Sequence, residues 1–140
     1  MSIKLQELSN DTNIVKHYIK DLSFENLCDV NNQDLKKDEV KVSDNIRLVF
    51  QAYNDDNFSV LFKYSCDCLL LENEKRVFIL ELDYFGLFKK NNMSSYSNDD
   101  LAKAGCTILY PILKPIVENI TQSAPINITL TEPDLNLIKA

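Results

Sequence analysis

A chain of 140 residues, 45% apolar and 26% charged, has the size and composition of one ordinary soluble domain, with enough apolar surface to offset chain entropy. A net charge of -6, with basic residues adjacent only in three scattered pairs, argues against nucleic-acid binding. One His and two Gly argue against multi-histidine metal sites and glycine-rich phosphate loops, so no cofactor and no metal is expected.

The first fifteen residues show no basic segment followed by an apolar one, and no run approaches the roughly 18 apolar residues of a membrane span. A cytoplasmic protein with no direct membrane insertion is expected, its four cysteines (Cys28, Cys66, Cys68 and Cys106) reduced. Residues 1–12 are polar and read as a flexible lead-in. From Val15 to Glu25 the chain alternates, with Tyr18, Leu22 and Phe24 on one face and Ile19, Asp21, Ser23 and Glu25 on the other, as in a half-buried strand. Residues 26–39 form a long polar connection interrupted by Leu27, Val30 and Leu35.

A second strand is expected over Val40 to Tyr53, with Ile46, Leu48, Phe50 and Ala52 in phase. The Asn54 to Asn57 turn introduces the clearest pattern, in which Phe58, Val60, Phe62, Tyr64, Cys66, Cys68 and Leu70 take every even position. After a turn at Glu72 to Lys75 the rule continues with Phe78, Leu80, Leu82 and Tyr84. Four antiparallel strands with one apolar face follow. The other face carries Asp21, Glu25, Asp67, Glu81 and Asp83, with Lys63 as the main opposing charge. Such a face is either merely solvated or a docking surface for a basic partner.

Ser97, three residues before Asp100, marks a helix start, and the apolar spacing extends the helix from about Asp99 to Thr121 with a kink at Pro111 and Pro115. Its apolar residues, Ile108 and Ile112 among them, exceed one stripe. A sheet covers one side only and the remaining chain is too short to cover the other, so self-association is expected. Ala124 to Ala140 reads as an extended stretch ending in at most one helical turn. The fold class is α+β, one domain over residues 1–140, with a four-stranded antiparallel sheet, a long helix on one face and a short C-terminal segment at 133–140.

Chemistry is sparse. Cys66 and Cys68 share a strand face and read as buried thiols. His17 is an ordinary polar residue at a strand edge. Glu81 and Asp83 lie on an open face, which does not shift two carboxyl pKa values apart as a catalytic cleft does. An enzyme is not expected.

The stretch from Tyr18 to Glu25, Tyr-Ile-Lys-Asp-Leu-Ser-Phe-Glu, resembles the opening motif of the SecB protein-export chaperones. Phe78 to Phe88 is similar to that family's fourth strand, Ile108 to Pro111 with Ile116-Val117 to its long helix, and Glu132 to Leu135 to its Ala-Pro-Val-Asn-Phe step. The resemblance covers about residues 15 to 138. It implies an ATP-independent holdase, assembled as a dimer of dimers (a homotetramer), that binds unfolded precursor proteins in hydrophobic grooves and delivers them to the SecA ATPase. Carried over by motif, SecA docking falls on Asp21, Glu25, Ile79 and Glu81. The subunit interface falls on Leu80, Leu82 and Tyr84, with Ile108 and Ile112 from the helix. The client groove falls on Leu27, Val30, Leu35, Leu135, Leu137 and Ile138. The sequence departs from the family where Leu35 to Asp38 replaces a Trp-x-Pro step, where Thr107 replaces a Pro, and where the loop at Gln122 to Pro125 is shortened. The second helix and tail are expected to be short. Two other readings compete: a SecB-like module dedicated to one partner, and a small-ligand-binding or enzyme subunit.

Overall fold

The computed structural model describes the backbone of residues 3–27 and 35–137, and the side chains of 5–27 and 35–136. Uninterrupted alternation makes the two longest-patterned strands, β3 (Asn57–Leu70) and β4 (Arg76–Lys89). The even positions Phe58 to Cys68 of β3 are at most 2% exposed, and Phe78, Leu80, Leu82 and Phe88 of β4 are 0% exposed. The β3–β4 turn is closed by the Leu70 amide donating to the Lys75 carbonyl at 2.8 Å, with Glu74 in the left-handed region at φ 58°. Ahead of β3, strand β2 (Val40–Ala52) pairs through the Asn54 turn, where the Asp56 amide donates to Asn54 Oδ1 at 2.9 Å.

Strand β1 (Asn13–Asn26) does not pair with β2, the next in sequence. The sheet order is β1-β4-β3-β2, all antiparallel, so β1 closes the far edge against β4. This is a Greek-key return, and the long connection after β1 permits it where a two-residue turn would force a hairpin. Two register shifts interrupt the β1–β4 pairing, one between Ile14 and Lys16 and one between Ile19 and Asp21. Each inserts one residue, and one extra residue reverses which face the side chains take. Ile19 lies opposite Tyr84, whereas Tyr18 lies opposite Phe85. The expected faces of Tyr18 and Ile19 are therefore exchanged, while Asp21, Leu22, Ser23, Phe24 and Glu25 keep theirs.

The long helix, labelled α2, spans Asn98–Thr121. Ser97 caps it by accepting the Asp100 amide on its Oγ at 3.1 Å, and Asp99 and Asp100 complement the positive end of the helix dipole. It continues through Pro111 and Pro115, both on its exposed side. The helix lies over β2, β3 and β4 and seals the even-numbered face of the sheet. Both glycines permit the close approach. A Cβ on Gly105 would stand 2.5 Å from Val60 Cγ2, and one on Gly86 would stand 2.9 Å from Leu109 Cδ2.

The ends of the chain correct two expectations. Residues 3–10 are no loose tail but a helix, α1 (Ile3–Asn10), lying against α2 with Leu8 only 2% exposed. The last segment also packs on α2: Ile126, Ile128 and Leu130 are buried, and Tyr110 Oη donates to the Leu130 carbonyl at 2.9 Å. The Ile128 amide donates to Thr121 Oγ1 at 2.9 Å, tying the segment to the helix end. The chain thus supplies part of the second layer that its length seemed to deny it. A single short helical turn, Leu135–Leu137, follows as expected.

Candidate functional site

The face of the sheet away from α2 can be described row by row, because directly opposed residues project to the same side. One row across β1, β4, β3 and β2 is Tyr18, Phe85, Leu61 and Val49. The next is Asp21, Asp83, Lys63 and Arg47, two acids followed by two bases. Ser23, Glu81, Ser65 and Asn45 follow, then Glu25, Ile79, Asp67 and Ser43.

Two acids on this face are neutralised within the chain. Lys63 Nζ lies 3.3 Å from Asp83 Oδ2, and Arg76 Nε lies 3.0 Å from Asp67 Oδ1. Asp21, Glu25 and Glu81 have no ion-pair partner among the described residues and are exposed. A shallow concavity of about 360 Å³ lies on this face, with Asp21, Glu81 and Asp83 on one side and Lys63 and Arg47 on the other. The four positions carried over for SecA docking therefore come together: Glu25 stands directly opposite Ile79, with Glu81 one row away on β4 and Asp21 two rows away on β1. The sequence reading missed Arg47, because its placement beside Lys63 depends on the β2–β3 register.

The helix-bearing side is different. Leu80 and Leu82 are 0% exposed and Tyr84 4% exposed within one chain. They belong to the chain's own core, which corrects their assignment to a subunit interface. Tyr84 Oη lies 2.6 Å from His17 Nδ1, so the lone histidine satisfies a nearly buried phenol whose pKa burial raises. Ile108 and Ile112 remain half-buried on α2, in a row with Ile116 and Ile120 at four-residue spacing. On β1, Ile19 and Leu22 face the same side of the sheet and are each 43% exposed.

Of the residues proposed for the client groove, Leu27 and Leu135 stand near opposite ends of α2. Leu27 is exposed beyond Asn26, whose side-chain amide donates to the Ser123 carbonyl near the C-terminal end of α2. Leu135 is half-buried in a cavity with Asp100 and Lys103, near the other end. At 1.5 Å per residue those ends are on the order of 30 Å apart. Leu35 packs against the core. Val30 and Ile138 lie outside the described residues, as does the side chain of Leu137 and as does Cys28. Cys66, Cys68 and Cys106 are buried. No helix among the described residues is long and apolar enough to cross a membrane.

Sheet, helix and bare outer face define the class: an α+β domain of SecB-like architecture. The SecB-like chaperone of Mycobacterium tuberculosis, solved with a ChAD peptide from an antitoxin, superposes with a TM-score of 0.70 over 94% of this chain and 97% of that one, at 14% identity. The family model for preprotein translocase subunit SecB matches residues 5–133, and the chain belongs to the SecB family. Among curated relatives, protein-export protein SecB of Orientia tsutsugamushi strain Boryong is 28% identical over 75% of this chain, and that of Bartonella bacilliformis is 27% identical over 84%. The match spans 66% of the length of the Orientia protein and 76% of that of the Bartonella protein.

Proposed function

We propose that the protein is an ATP-independent cytoplasmic holdase, assembled as a homotetramer, that keeps unfolded precursor proteins soluble and hands them to the SecA export ATPase. One observation carries this reading beyond family membership: the two sides of the sheet are chemically opposite. The helix-bearing side keeps Ile19, Leu22 and the α2 isoleucines open to an apolar partner. Exposed apolar surface binds unfolded chains by burial, with little demand on sequence. Several copies would bind one extended client with avidity. The outer side keeps Asp21, Glu25 and Glu81 unpaired, which suits a basic docking partner and steers its approach.

The test uses the purified chain with an unfolded precursor and with SecA. Suppression of precursor aggregation is expected, as is SecA binding that weakens when Asp21, Glu25 and Glu81 are reversed to Lys while client protection is retained. Loss of both activities together, with the fold intact, would refute the two-sided reading. A second reading, a module dedicated to one partner, is favoured by the mycobacterial neighbour's bound antitoxin peptide. Capture of a single folded partner, with no protection of unfolded precursors, would decide for it.

A further inference from the structure

The acidic docking surface ends abruptly at an apolar row that the proposed function leaves unused. Tyr18 and Val49, at the two edges of that row, are 42% and 44% exposed, and Phe85 and Leu61 between them are half-buried. The Tyr18 and Phe85 ring centroids are 5.0 Å apart. No described element covers this side, because α2 lies on the other. Tyr18 joins the row because of the bulge between Ile19 and Asp21. Without that extra residue, strict alternation from Asp21 would turn Tyr18 toward the helix side.

Resting on the docking reading above, we infer that Tyr18 and Phe85 anchor the docking partner, and that its docking segment is basic, with an apolar side chain one row ahead of its basic ones. Along β1 and β4 the surface runs in one direction. Lys16, opposite Leu87, stands one row beyond Tyr18 from the acids, and its Nζ lies over the Tyr18 ring at 5.6 Å from the ring centre. The Tyr18–Phe85 pair follows, then Asp21, then Glu81, then Glu25. A segment laid with its apolar residue on the ring pair puts its positive charges over the three unpaired carboxylates. The reversed segment puts them against Lys16. Same-face rows of a sheet are about 6.6–6.8 Å apart, the repeat of an extended peptide, so residues i, i+2, i+4 and i+6 of the partner match the four rows. Arg47 repels a basic segment from the β2 edge and favours its placement along β1 and β4.

The two contributions respond differently to salt, since burial of the ring pair is insensitive to screening and the carboxylates are not. SecA binding is therefore measured for the full chain at low and at physiological ionic strength. Tyr18→Ala is expected to weaken binding about tenfold at both, the typical effect of truncating an aromatic anchor. Glu81→Gln is expected to weaken it mainly at low salt, and Tyr18→Phe to bind like the parent. Should Tyr18→Ala lose its fold, Tyr18→Thr, which favours a strand, takes its place. A parent that binds SecA as tightly as the folded Tyr18→Ala variant overturns this inference alone. A parent that fails to bind SecA overturns the docking reading and the inference with it. The row of two acids and two bases is also complementary to itself when two sheets stack about an axis along the strands. If sedimentation shows self-association that Tyr18→Ala abolishes while SecA binding persists, the occupant is a second copy and the inference is wrong.

Discussion

Cys106, a residue of α2, is 0% exposed, and burial pushes its thiol up to about 12. Burial likewise pushes Cys66 up to about 11, from an ordinary value near 9.0. Above pH 9 the unfolded chain has released these protons and the folded chain still holds them. Fewer protons on the unfolded state make stability fall as pH rises. The stability these groups contribute is whole below pH 9 and is lost between pH 9 and about 11 for Cys66, and up to about 12 for Cys106. Tyr64, whose phenol is also raised by burial, adds to the loss from its ordinary value of 10.0 upward. Urea unfolding at pH 7, 9.5 and 10.5 should show the decline, and Cys106→Ala should flatten it while costing about 1 kcal/mol at pH 7. Stability that is level to pH 10.5 would contradict the burial argument. The burial of Cys66 and Cys68 was legible in the sequence, because both hold even positions in an unbroken alternation. The side taken by Tyr18 was not. It depends on one residue inserted relative to β4, and no pattern within β1 reports a register with a strand some sixty residues away.

Strands β3 and β4 and helix α2 were readable because each carries its own signal: period two in the strands, a Ser97 cap and dense apolar spacing in the helix. Helix α1 was not, since eight residues form a helix in water only marginally and this one is held by Leu8 packing beside α2. The pairing of β1 with β4 was equally hidden, because a long connection does not say where it lands. The layers approach each other closely where Gly105 lies on Val60. Gly105→Ala would gain about 1 kcal/mol of helix propensity but place a methyl 2.5 Å from Val60 Cγ2. Valine has a stiff χ1 and cannot swing away, so overpacking of about 1–3 kcal/mol should prevail. A fall of several degrees in Tm is expected. Val60→Ala placed in the same chain should recover part of it, because the two changes share one contact. Full additivity of the two losses would argue against this packing account.

One chain leaves the isoleucine row of α2 half-buried and Ile19 and Leu22 open, although α1 and the C-terminal segment cover much else. Those residues, and not the fully buried Leu80 and Leu82, are the surface on which copies can meet. The proposed docking face lies across the sheet, so assembly through the helix side would leave Asp21, Glu25 and Glu81 accessible in every copy. Sedimentation at micromolar concentration should find the parent heavier than one chain, with four copies as the expected mass. Ile112→Asp or Leu22→Lys should shift it to smaller species without loss of helix signal, since both side chains are only partly buried in the single chain and a charge there is costly only inside an interface. Charge reversal at Asp21 and Glu81 should leave the mass unchanged. A parent that sediments as one chain would separate the apolar surface from assembly and leave it to clients alone. A mass that falls on reversing Asp21 and Glu81 would instead place the sheet face within the assembly, where SecA could not reach it.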